Sequence, residues 1–349
     1  MTTTVTERQD SAGAPPGTGS RKLTERVFRI RESGIIVVFV VFVAVTTAVK
    51  PSFLDEQNIQ FLLINTTVFA LLALGETIVV VSRNVDLSIG SVLGLSAYVS
   101  ASMFGSHHVG VPVAFAVGLG IGLACGAANG LMVAIGRVPS LVVTLATLYI
   151  VRGVDILIVG GNQVNAQTLP DAFTQIPRAT VLGVPYLAIA IAVVIGIGAY
   201  YLRSFRSGRE LYAIGSNPEA ARLAAIPVGR RVFTAFAVSG AIAGLAGVLW
   251  AAQYQTIDSS AGTGYELTVI SAVVVGGVAI FGGSGSAVGA AVGALLLSSI
   301  NSALNVLGIS PLWLEAISGF LLLLAITLDR VISLRLQAAL RRRSSGVGT

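Results

Sequence analysis

Apolar runs close to the length that crosses a bilayer core as a helix follow one another from residue 34 to residue 329. About 20 apolar residues are needed per crossing helix, and fewer if the helix is broken. The runs predict ten segments: 34–49, 59–82, 87–104, 112–135, 139–159, 182–202, 232–254, 266–281, 286–305 and 312–329. Two of them, 87–104 and 266–281, are short, which predicts tilted, broken or re-entrant helices. The expected fold class is an all-α polytopic membrane protein. The first run starts at Gly34, too late for a simple signal peptide, so it is expected to be retained as a span.

Composition agrees. Charged residues make up 11% of the chain and hydrophobic ones 54%, against about 25% charged in soluble domains. So few ionised groups exclude a soluble enzyme, whose surface needs them. The net charge of +6 does not indicate nucleic acid, because the basic residues flank the apolar runs. With the N-terminus inside and strict alternation, all but three of the 22 basic residues, Lys50, Arg152 and Arg178, fall on the inner side. That is the positive-inside bias. It supports ten spans with both termini cytoplasmic. The domain reading is a flexible basic cytoplasmic tail at 1–33, a membrane domain at 34–330 with a cytoplasmic loop at 203–231, and a basic cytoplasmic tail at 331–349.

Glycines 118, 122, 126 and 130 fall four apart and share one helix face, which lets a neighbouring backbone approach closely. Gly240 and Gly244 repeat the spacing, as do Gly285, Gly289 and Gly293. These are read as packing glycines.

Polar groups inside apolar runs are costly and often functional. Glu76 sits before the inner end of the second run, and Arg152 and Asp155 are three apart in the fifth, placed to pair on one face. Asp86 precedes the third run and is placed to cap it. Asn65, Asn129, Gln163, Gln253 and Asn301 add neutral donors and acceptors. Either these groups satisfy one another and the broken helix ends, or some line a path for a small polar solute such as a sugar. The path candidates are Asn65, Glu76, Asn129, Thr144 and Gln253.

Catalytic patterns are missing. The two histidines, His107 and His108, are adjacent in an expected outer loop, and neither lysine, Lys22 or Lys50, lies in a phosphate-cradling G-x-x-x-x-G-K-[ST] sequence. The lone cysteine, Cys125, lies in an apolar run and is read as a small buried residue. The chain is expected to have no catalytic, cofactor or metal site of its own.

The most polar internal stretch is GRELYAIGSNPEAARLAAIPVGRR, beginning at Gly208. Asn217 followed by Pro218 predicts a helix start, with Glu219 favourable in the first turn. PEAARLAAI predicts a short helix that Pro227 and Gly229 stop. A helix of about nine residues is marginal alone, so it needs something to pack on: its own membrane domain, the headgroups, or another protein. Arg209 and Arg222 are placed to offer charge-assisted hydrogen bonds.

This loop resembles the cytoplasmic coupling segment of bacterial ABC-transporter permeases of the ribose, xylose, rhamnose and autoinducer-2 import family. The residues that carry the resemblance are Gly208, Arg209, Tyr212, Ala213, Ile214, Gly215, Asn217, Ala220, Ala221, Arg222 and Ile226, and the family pattern GR-x-x-Y-A-I-G-x-N-x-x-A-A-R-x-x-G-I is broken at Ala225, where Gly is common. That change is taken as conservative within a helix. NVDLSIGS at 84–91, the P-x-x-x-x-T-L…RG pattern at Pro139, Thr144, Leu145, Arg152 and Gly153, and GYEL with the following glycine-rich stretch at 264–297 extend the resemblance over about 34–330.

The resemblance implies a non-catalytic transport subunit. Two permease chains, alike or closely related, would form the path. Cytoplasmic ABC ATPase subunits, which carry ATP and Mg, would dock on Arg209, Gly215, Ser216, Asn217, Pro218, Glu219, Ala220, Ala221 and Arg222. An extracytoplasmic solute-binding protein would meet the loop at 160–181, with its Asn162, Gln163, Asn165 and Gln167. A branched-chain amino-acid permease and an ion-coupled secondary transporter are the alternatives.

Overall fold

A computed structural model describes residues 18–107 and 109–345. The chain is helical: α1 (Thr18–Val49), α2 (Glu56–Val80), α3 (Ile89–His107), α4 (Val111–Ala134), α5 (Ser140–Val159), α6 (Asp171–Thr174), α7 (Tyr186–Ser204), α8 (Arg206–Ser216), α9 (Pro218–Leu223), α10 (Val228–Tyr254), α11 (Tyr265–Val275), α12 (Ala287–Val306) and α13 (Trp313–Ser345). Among the described residues seven helices are long and apolar enough to cross a membrane: α2, α3, α4, α5, α7, α10 and α12. Shorter apolar stretches at Gly34–Val49, Tyr265–Val275 and Trp313–Leu328 occupy the positions of the other three expected segments.

The expected 87–104 segment is full length as α3. The 266–281 segment is not: α11 ends at Val275, and the glycine-rich stretch to Ser286 breaks the helix before α12. The segment expected at 182–202 begins later. Its first residues form a two-strand hairpin, β1 (Thr180–Val181) and β2 (Val184–Pro185), turning through Leu182 and Gly183 with φ of 50° and 79°, the two positive values of a tight hairpin turn. The flexible tail expected over 1–33 and the tail at 331–349 are helical where described, because α1 begins at Thr18 and α13 runs to Ser345. Residues 1–17 and 346–349, and His108, lie outside the described residues, while His107 closes α3.

Helix α2 is apolar on every side, and 83% of its most apolar window is buried. A helix with no polar face belongs in the interior, and α7, α10, α11 and α12 pack around it. By contrast α4, α5 and α7 leave broad apolar faces open, such as Leu141, Tyr149 and Leu157 on α5. Only a bilayer or an apolar partner solvates such faces without cost.

The glycine stripes explain the tightest crossing. A Cβ added at Gly122 would overlap the Gly240 carbonyl oxygen, and one at Gly244 would overlap that of Gly118. Gly126 and Gly130 meet the Phe236 and Phe233 backbones in the same way. The stripes of α4 and α10 therefore face each other with backbone against backbone. Gly289 and Gly293 play the same part between α12 and α11, against Gly276 and Ala272. Gly285 does not share their face. It lies in the turn before α12 with φ of 140°, where its missing side chain makes room for Val278, and Ser286 accepts from the Gly289 N–H to start the helix one residue later.

Candidate functional site

Two chain breaks and one amphipathic helix form one end of the bundle. The first break joins α2 to α3 through residues 81–88, and the second joins α11 to α12. They touch: the Gly283 N–H donates to the Val81 carbonyl oxygen at 3.0 Å, and Gly282 lies against the Arg83 backbone. Helix α8 lies on this seam. Its buried residues, Gly208, Glu210, Leu211, Ile214 and Gly215, recur at the three-to-four spacing of one helix face. At Gly215 a Cβ would overlap both the Val81 carbonyl oxygen and the Gly283 nitrogen. The Tyr212 hydroxyl donates to the Gly285 carbonyl oxygen at 3.0 Å.

A three-residue charge cluster anchors the ends of this segment. Glu210 accepts from Arg206 Nε at 2.8 Å and from Arg231 Nε at 2.5 Å. The Arg231 hydrogen bond above all, with that of Arg206, holds the Glu210 carboxyl below its ordinary range. The Arg206–Glu210 spacing is visible in the sequence as i, i+4. Arg231 is 21 residues away from Glu210, and no local pattern could pair them.

Beyond α8 the chain turns into α9, which projects outward. Asn217 caps it as the sequence predicts, its Oδ1 accepting from the N–H groups of Glu219 and Ala220, both at 3.1 Å. Glu219 pairs with Arg222. The helix stops at Leu223, short of the expected PEAARLAAI. Ala225 has φ of 56°, its N–H donates to Arg222 and the Ile226 N–H donates to Ala221, both at 3.0 Å. These two bonds form a Schellman cap. Ala225 is thus not inside a helix. It occupies the left-handed cap position that favours glycine, so its departure from the family pattern carries backbone strain.

The nine loop candidates separate accordingly. Arg209, Ser216, Asn217, Glu219, Ala220 and Arg222 are exposed and Pro218 is half-buried, whereas Gly215 and Ala221 are buried. Gly215 faces the membrane domain. Arg209 also has a partner at home, the Ser204 carbonyl oxygen at 2.6 Å.

The five solute-path candidates fall into two groups. Glu76, Asn129 and Thr144 are fully buried and join one network around the first break. The Asp86 N–H donates to Glu76 Oε1 at 3.1 Å, and Asp86 Oδ1 accepts from the Ser88 N–H at 3.0 Å, just ahead of α3. Asn129 Nδ2 donates to Ser88 Oγ at 2.9 Å, and Thr147 Oγ1 donates to Asn129 Oδ1 at 2.6 Å. Thr144 Oγ1 reaches the Val85 carbonyl oxygen at 3.2 Å. Asn65 and Gln253 meet at the other end, about 16 Å along α2 from Glu76 by helical rise. Gln253 Nε2 and the Tyr254 hydroxyl both donate to Asn65 Oδ1, at 2.5 and 3.0 Å. Thr147 and Tyr254 are further members of these groups, and nothing in the sequence sets them apart from the other Thr and Tyr residues of the apolar runs.

Arg152 does pair with Asp155, at 3.7 Å. Its Nη1 also donates to the carbonyl oxygens of Ser259 and Ala261, at 3.1 and 2.7 Å, tying the loop after α10 to α5. The amide-rich stretch after α5 leaves Asn162, Gln163 and Gln167 exposed.

Residues 58–326 match the family model described as "Branched-chain amino acid transport system / permease component". The chain is 35% identical to the ribose import permease protein RbsC of Escherichia coli K12 over 302 residues, which is 86% of this chain and 94% of that protein. It is 34% identical to the autoinducer 2 import system permease protein LsrC of Enterobacter sp. 638 over 312 residues, 89% of each, and 33% identical to the ribose import permease of Haemophilus influenzae over 303 residues. No solved structure matches. With these matches and helices fit to cross a membrane, the chain belongs to the bacterial ABC-transporter permease family of the ribose and autoinducer-2 import type, as a non-catalytic, multi-pass transport component of the inner membrane.

Proposed function

We propose that this chain is the membrane subunit of an ATP-driven importer for a sugar or sugar-like solute of the rhamnose, ribose/xylose or autoinducer-2 type. The observation that carries this reading is the 35% identity to a ribose import permease along 94% of that relative. The seven long helices and three shorter apolar stretches support ten crossings, with both ends cytoplasmic. The permease works as a pair, alike or closely related, and an extracytoplasmic binding protein delivers solute.

The cytoplasmic ATPase subunits hold ATP and Mg, and the exposed turn at Ser216–Arg222 is their docking point. Its seat explains how motion would pass inward. Helix α8 has glycine-close contact with both chain breaks, so displacing α9 moves α8 and presses on both. The Glu76, Asn129 and Thr144 network lies directly behind the first break, and Asn65 with Gln253 marks the far end of the path. A second reading, a branched-chain amino-acid permease, rests on the family description.

Docking is tested by pulling the ATPase down with Asn217→Lys/Glu219→Lys in membranes. Loss of attachment with normal insertion is expected. Because Asn217 also caps α9, Glu219→Lys alone is the cleaner variant. Normal attachment and ATP-dependent uptake in both would defeat the docking assignment.

A further inference from the structure

At the end of the bundle opposite α8, three carboxylate oxygens are buried with no hydrogen-bond partner: both oxygens of Asp155 and Oε2 of Glu266. Asp155 is fully shielded, and its nearest cationic atom, Arg152 Nη1, stands 3.7 Å away because the Ser259 and Ala261 carbonyls engage it. Buried carboxylate oxygens without hydrogen-bond donors are costly.

The surroundings are shaped for these groups. A Cβ at Gly90 of α3 would overlap Glu266 Oε2, and one at Gly94, a helical turn further on, would lie 3.1 Å from Arg152 Nη1. Two glycines thus clear the space that the carboxylate and the guanidinium occupy. Glu266 lies within electrostatic reach of Arg152 and Glu315, and Asp155 within reach of Asp258. Exposure falls inward, from exposed Glu315 through half-buried Glu266 to Asp155.

We propose that Asp155 and Glu266, positioned by Arg152, form an acceptor subsite for the hydroxyl groups of a polyhydroxylated, uncharged solute. Several O–H donors on one small neutral molecule match several clustered acceptors. An amino-acid carboxylate would meet repulsion here, since Arg152 is already engaged. The inference rests on the sugar-import reading above.

The test uses the permease reconstituted with its ATPase and binding protein, and radiolabelled D-ribose, L-rhamnose, D-xylose and L-leucine. Asp155→Asn and Glu266→Gln keep the shape and change acceptors into mixed groups. The expected result is that KM for the transported sugar rises about tenfold, the scale of one lost charged hydrogen bond. Vmax should hold, and the melting temperature of Glu266→Gln should not fall, because its buried Oε2 has no hydrogen-bond partner to lose; Asp155→Asn also gives up the ion pair with Arg152 and is read by KM alone. Unchanged KM in both variants, with sugar uptake by the wild type, overturns the subsite and leaves the sugar reading standing. Loss of uptake together with a lowered melting temperature in Glu266→Gln overturns it in favour of a structural role. Leucine uptake, or no sugar uptake, by the wild type overturns the sugar reading and the subsite with it.

Discussion

The Tyr212 hydroxyl donates to the Gly285 carbonyl oxygen at 3.0 Å, joining two residues 73 positions apart in sequence. This bond fastens α8 to the turn that opens α12, next to the Gly215–Gly283 contact. Tyr212→Phe keeps the ring and deletes the bond, at a cost of about 1 kcal/mol. The variant is expected to assemble normally but to transport less solute per ATP hydrolysed, measured as paired uptake and phosphate release in proteoliposomes.

Ala225 holds a left-handed backbone at the end of α9, which costs an L-residue about 1–2 kcal/mol relative to glycine. Ala225→Gly is therefore expected to stabilise the protein by about 1 kcal/mol, less whatever the unfolded chain gains in freedom. Thermal unfolding in detergent reads this directly. A lower melting temperature would remove the strain argument.

The facing stripes of α4 and α10 give a paired comparison on one helix. Gly120 has open space where its side chain would be, while Gly122 has the Gly240 carbonyl. Gly120→Ala should be tolerated, and Gly122→Ala should cost about 1–3 kcal/mol through overpacking. Yield of folded protein after solubilisation distinguishes them.

Glu210 carries a pH dependence. Its carboxyl is held below the ordinary range, chiefly by Arg231. Its ion pairs therefore contribute stability in full above the unfolded-state value, and the contribution disappears as pH falls through the lower folded-state value. Melting temperature should drop in that acidic window for the wild type. Glu210→Gln should start lower at neutral pH and lose this part of the drop.

Much of the membrane architecture was legible because apolar run length and glycine spacing act locally. The runs located every apolar helix, and Gly118, Gly122, Gly126 and Gly130 proved to be the face that meets α10. The misplacements have physical causes. The end of α9 turned on one residue in a left-handed conformation, and alanine gives no sign of that. Gly285 shared the spacing of Gly289 and Gly293, but spacing cannot tell a helix face from the turn before it. Gly215 read as part of an exposed motif because only the fold brings Val81 and Gly283 against it. Of the polar candidates, Glu76 and Asn129 belong together through Asp86 and Ser88, a link that depends on where the chain breaks.

Surface connections usually absorb insertions and deletions with little harm. The two breaks beneath α8 are exceptions, since their own backbone atoms form the surface on which another helix sits. Adding or removing one residue between Val81 and Asp86, or between Gly276 and Ser286, would shift the Val81 carbonyl or the Gly283 N–H out of register. These short irregular stretches should therefore hold their length as strictly as a helix core holds its volume.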